Sequence, residues 1–171
     1  MKPAKYDTGR QRVYVAERQA RKRLWHHHQR FETLIACQDF AETITSLPVW
    51  QALGGPCPVR LKAMPRLGKR SWFVRRRSLG LTKFKTDPDT GQIAFSHISL
   101  APREMWKASM GGWDNFTILH ELAHAVNPWQ EKHGAGFLSA HLKLIEASLG
   151  PDARETLKNA YMEHGLHLPP E

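Results

Sequence analysis

Two histidines and a glutamate, His120, Glu121 and His124, stand in the order HELAH within a run of helical apolar spacing. Histidines at i and i+4 of one helix share a face about one turn apart, so both imidazoles can reach a single metal ion. A glutamate beside the first histidine borders that face, where its carboxylate can take a proton from the attacking water and hand it to a leaving group. The chemistry implied is hydrolysis by metal-activated water, with Glu121 as general base. With 10 histidines in 171 residues, accident produces the pattern in roughly 3 chains of 100 of this composition. The mid-helix position and a further histidine downstream, His133, argue against accident.

A structural zinc closes with a fourth protein ligand, whereas a catalytic one leaves that position to water. Three histidines, His120, His124 and His133, with Glu121 beside them suit the open kind, and one catalytic Zn2+ is expected. His141 lies about two turns beyond His133 on the same helix, too far to share the ion, and is expected to be buried behind the ligands. Glu146 would imitate sites that take a carboxylate from a second helix.

These residues need elements to carry them. Asp114 or Asn115 can cap a helix running from Phe116 to about Val126, anchored by Phe116, Leu119, Ala123 and Val126 with its polar side toward a cleft. Asn127 and Pro128 stop it, and a short loop leads to His133 and Gly134. An amphipathic helix then runs to Leu149, closed by Gly150 and Pro151, and a last helix runs from Asp152 to about His164. Upstream, Arg10 to about Arg30 reads as a basic surface helix, and Phe31 to about Leu53 as a second helix that Pro48 kinks or restarts. Short β-branched and aromatic runs at Val59 to Met64, Ser71 to Arg76, Leu81 to Lys85 and Gln92 to Leu100 predict strands. The turn-rich segment Thr86 to Gly91 makes the last two a hairpin, with Ser96, Ile98 and Leu100 on one face and His97 and Ser99 on the other. The expected fold is α+β: a small, mainly antiparallel sheet beside the active-site helix, with residues 1–30 as a basic helical arm and 31–171 as one catalytic domain.

Composition narrows the function classes. A hydrophobic content of 41% and a charged content of 24% belong to a globular chain, and no apolar run approaches a membrane span. The N-terminus lacks an apolar signal region, so a cytoplasmic location is expected. Cys37 and Cys57 are too few for a disulfide framework and read as reduced thiols. The net charge of +9 is uneven: residues 1–85 hold 19 Lys/Arg against 5 Asp/Glu, while residues 86–171 hold 6 against 11. A basic half of this kind can contact nucleic acid, most directly through Lys69, Arg70, Arg75, Arg76 and Arg77 interleaved with Trp72 and Phe73; a strand with a solvated charged face reads equally well there. His26, His27 and His28 cannot share one helical face and make a poor metal site. Trp113 and Trp129 flank the motif and read as core residues before cleft residues.

HELAHAV followed by HGAGF resembles the SprT-like family of zincin metallopeptidases, in which an HExxH helix pairs with a downstream histidine, a glycine and an aromatic residue. His120, Glu121, His124, His133, Gly134 and Phe137 match that pattern, and the likeness covers about residues 92–145. The chain is also similar to small uncharacterised metallohydrolases of actinobacteria and their phages. The resemblance implies a zincin-like fold, zinc, and cleavage of peptide bonds in proteins bound to nucleic acid. Two features depart from it or from neighbouring families: no cysteine zinc ribbon follows the core, and Asn127 stands where metzincins carry glycine. A zinc hydrolase of a non-peptide amide and a nucleic-acid or partner-binding module with a structural zinc are the alternatives.

Overall fold

The computed structural model describes residues 8–56, 58–64, 80–86, 89, 93–101, 113–127 and 132–169. The predicted strand at Ser71 to Arg76, the basic run with Arg75, Arg76 and Arg77, most of the Thr86 to Gly91 turn, Cys57 and Trp129 lie outside them.

The fold is α+β, with six helices and three strands among the described residues. In chain order these are α1 (Thr8–Arg23), α2 (Leu34–Thr45), α3 (Pro48–Ala52), β1 (Val59–Ala63), β2 (Gly80–Thr86), β3 (Ile93–Leu100), α4 (Asn115–Val126), α5 (Ala135–Leu149) and α6 (Pro151–Glu163). None of these helices is long and apolar enough to cross a membrane.

The sheet has the order β1-β3-β2. The predicted hairpin forms: β2 pairs antiparallel with β3, Thr82 opposite Ile98, with an irregularity at Lys85/Thr86. β1 pairs parallel with β3, Leu61 opposite Ile98, so the sheet is mixed and not mainly antiparallel as expected. A hairpin announces its polarity through its local turn, whereas the partner of β1 is distant in sequence and its direction leaves no local mark. On β3 Ser96, Ile98 and Leu100 are fully buried, as the alternation predicts, and Ser99 on the other face is buried too. Gln38 of α2 covers the edge of β1, donating to the Val59 carbonyl at 3.0 Å and accepting from the Leu61 amide at 2.8 Å.

Helix boundaries follow local chemistry. Thr33 caps α2 by accepting from the Ala36 amide at 3.1 Å, and Pro48 starts α3 as a separate short helix at the first position, where its missing N–H is harmless. The basic helix stops at Arg23, short of the expected Arg30. Beyond a single 3-10 turn at Trp25–His27, the backbone of residues 29–31 bonds to residues 113–115: Asn115 N to Gln29 O at 3.1 Å and Phe31 N to Trp113 O at 2.9 Å. Tertiary pairing wins over helical propensity there. Nor is α1 a purely surface element. Val13, Ala16, Ala20 and Leu24 are buried in the same core as Trp50, Ile98, Leu122 and Leu144, while Arg18, Lys22 and Arg23 face outward. α1 and α5 both pack against α6, α5 packs on α4, and α4 in turn lies on β2 and α2. Trp113 packs against this core from the segment that enters α4.

Candidate metal centre

The N-terminus of α4 is fixed before the chemistry begins. Asp114 caps it, accepting from the Thr117 amide and hydroxyl at 2.9 Å each, and its carboxylate also receives Arg21 of α1 at 3.2 Å. Asn115 reaches back to the His27 carbonyl at 2.8 Å and accepts from the Gln29 amide at 3.2 Å. The chain after α1 is therefore stitched to the first turn of the helix that carries His120. The expectation of one apolar side and one cleft-facing side is not met, because residues 115–123 are buried all round and His124 is only partly so. β2, α2, α5 and α1 enclose the helix from different directions.

Asn127 leaves helical geometry, at φ −124° and ψ 69°, as a residue preceding proline should. The chain returns at Lys132, and His133 is buried immediately before α5, for which Gly134 is the N-cap. One ligand atom each from His120, His124 and His133 lie within 4.8 Å of one another. Ligands on one tetrahedral zinc are roughly 3.4 Å apart for bonds of about 2.1 Å, so small ring rotations close the group on a single ion. The three rings are 4.7 to 5.4 Å apart, centroid to centroid, and Phe137 of α5 lies 4.5 to 4.9 Å from each. This aromatic floor holds all three histidines against the same support.

The donor atoms suit a metal. Burial, with the neighbouring His133 second, holds the His120 imidazole well below its usual pKa, so the ring is neutral. Its Nδ1 lies 2.7 Å from Oε1 of Glu17, which makes the contact a hydrogen bond donated by neutral imidazole to carboxylate. With the proton on Nδ1, Nε2 presents a lone pair, and that buried atom has no hydrogen-bond partner among the described residues. A buried acceptor of this kind is what a metal ion satisfies.

Glu121 is buried on the same helix. Its carboxylate accepts from the Thr82 hydroxyl of β2 at 2.7 Å, and Thr82 also reaches the Glu121 carbonyl at 3.0 Å. Burial pushes the Glu121 carboxyl up to about 7, with the Thr82 bond working in the opposite direction. Tyr14 of α1 stacks on His120 at 5.5 Å and meets His133 edge-on at 5.5 Å, with the Arg10 guanidinium 5.4 Å from its own ring.

Glu146 stands apart from this group, while His141 lies behind it, its ring 5.7 Å from that of His120 and 5.6 Å from that of Phe137. His141 is buried and bonds through Nδ1 to the Tyr161 hydroxyl at 2.7 Å; burial lowers its pKa to about 3. Glu146 is exposed and pairs with Arg154 at 3.3 Å. Arg12 and Arg23, like Arg21, have partners within the fold: the Gly165 carbonyl and Glu163. Trp25, His26 and His27 form the turn after α1, and His28 lies 4.0 Å from Asp114.

Glu17, Tyr14 and Thr82 belong to no motif. Thr82 has no signal in the sequence, but Glu17 does: it is the single acid between Thr8 and Phe31, set on the apolar stripe of Val13, Ala16, Ala20 and Leu24. The chain matches no family model, no curated protein and no solved structure, so the site rests on its own residues.

Proposed function

We propose that the protein is a zinc-dependent metallopeptidase of zincin type, in which His120, His124 and His133 hold the ion and Glu121 is the general base. The observation that carries this reading is the convergence of three histidine donors on one point with a buried glutamate beside them. Imidazole nitrogens suit zinc, whereas magnesium and calcium take oxygen ligands. Among the described residues no fourth ligand atom joins the three, which favours an open catalytic site over a closed structural one. Zinc held there supplies a Lewis acid that acidifies water and polarises a carbonyl.

The remaining work falls to the chain's own groups. Glu121, near 7 and steadied by Thr82, exchanges a proton close to neutrality, accepting it from water and delivering it to the leaving amine. Tyr14 and Phe137 exclude solvent from the histidines and hold their rings. The resemblance of HELAHAV and HGAGF to the SprT-like family supports a peptide bond as the substrate. The expected result is cleavage of an unfolded protein such as casein by zinc-loaded protein, lost on chelation and in Glu121→Gln. Turnover by the Glu121→Gln variant at the parent rate, with equal zinc content, would overturn the assignment.

A further inference from the structure

The buried cluster behind His120 has no part in the proton transfer just described. Glu17 Oε1 lies 2.7 Å from His120 Nδ1, 3.4 Å from His141 Nδ1 and 3.5 Å from the Tyr161 hydroxyl, which donates to it. His141 and Tyr161 are joined to each other at 2.7 Å. With the proton of each histidine on Nδ1, His120 donates to Glu17 and His141 donates to the Tyr161 oxygen, whose hydroxyl in turn donates to Glu17. Glu17, His120 and His141 are also close enough together to be a metal group in their own right. The 2.7 Å contact decides against that, since it is a hydrogen-bond distance and shorter than the spacing of ligands around an ion.

A carboxylate at 6% exposure needs compensation for its charge, and the near partners of Glu17 among the described residues are two imidazoles and a phenol, not a lysine or an arginine. A dication on Nε2 of His120 would supply it through the ring. We infer that Glu17, on the N-terminal helix, is the positioning residue of the metal centre: it fixes the His120 tautomer, aims Nε2 at the ion and balances the ion's charge. α1 is then a wall of the site, and metal binding and the docking of α1 strengthen each other.

This rests on the metal centre proposed above, and the test separates the two. Zinc affinity is measured by competition with a chromophoric chelator for the full-length parent and for Glu17→Gln, alongside the melting temperature of each metal-free protein. Glutamine keeps an acceptor oxygen for His120 and removes the charge. The expected result is a loss of roughly 10 to 100 fold in zinc affinity, with a metal-free melting temperature no lower than the parent's. A group that only filled space would show the reverse, with a lowered metal-free melting temperature and an affinity within about twofold of the parent; that outcome overturns the inference. A parent that binds no zinc sinks the metal centre itself. Nitrogen NMR of the histidines in the zinc-loaded parent needs no variant to fold: His120 must carry its proton on Nδ1 and the metal on Nε2, and the opposite arrangement overturns the role of Glu17.

Discussion

Glu121→Gln should stabilise the metal-free fold at neutral pH while it abolishes hydrolysis. The carboxyl is fully enclosed by α4 and β2, and burial lifts its pKa from 4.5 to about 7. A group whose pKa is raised on folding binds protons more tightly in the native state. Its favourable contribution is therefore complete below about 4.5 and is lost as pH rises to about 7. Across those roughly 2.5 pH units, at about 1.4 kcal/mol each, the parent forfeits about 3 kcal/mol relative to a neutral side chain. Glutamine stays neutral throughout and its amide oxygen can still accept from Thr82. Urea denaturation of both proteins in chelator, at steps from pH 4 to pH 8, gives the difference directly. His120 and His141 titrate in both proteins, so their opposite contributions, lost as pH falls through their lowered pKa values, cancel in it. The stability difference should grow by about 3 kcal/mol between pH 4.5 and pH 7 in favour of the variant. A difference that is flat over that window, or a variant less stable at pH 8, would refute the argument from burial.

Three other experiments probe the surroundings. His133→Ala should lower zinc affinity steeply, whereas His141→Ala should cost at most ~10 to 100 fold, measured by the same chelator competition; the reverse order would move the third ligand to His141. Thr82→Val removes a hydroxyl donor from a buried carboxylate, a bond worth about 1.5–3 kcal/mol, and should lower kcat/KM by roughly tenfold or more, with Thr82→Ser restoring most of it. Equal rates in parent and Thr82→Val would remove β2 from the site. The Cys37 thiol is buried and pushed up to about 12 by burial, so iodoacetamide at pH 8 should label it only after denaturation, as read by mass spectrometry. Labelling of the native protein at the denatured rate would contradict its packing.

Much of this site is legible because local rules place it. The i, i+4 spacing sets His120 and His124 on one helix face, Asp114 supplies the cap, and Asn127 before Pro128 ends the helix so that His133 can return. Phe137 is legible as the aromatic residue that the HGAGF resemblance places after His133 and Gly134. What the sequence does not disclose is the partner of each element. Nothing local makes β1 parallel to β3, and nothing near Thr82 says that its hydroxyl will meet a glutamate 39 residues on. The basic composition of α1 reads as a solvated surface, yet Arg21 holds the α4 cap and Glu17 holds His120. The apolar stripe of Val13, Ala16, Ala20 and Leu24, with a lone acid set on it, is the sign in the sequence that this helix turns inward.

The central claim is that His120, His124 and His133 hold one ion with a position left open. X-ray absorption at the zinc edge on the purified, zinc-loaded full-length protein, with metal content determined on the same sample, tests it most directly. The account predicts one zinc per chain, three imidazole nitrogens at about 2.0–2.1 Å and one oxygen ligand from solvent. Four protein ligands, a carboxylate among them, or no stoichiometric metal at all would contradict it.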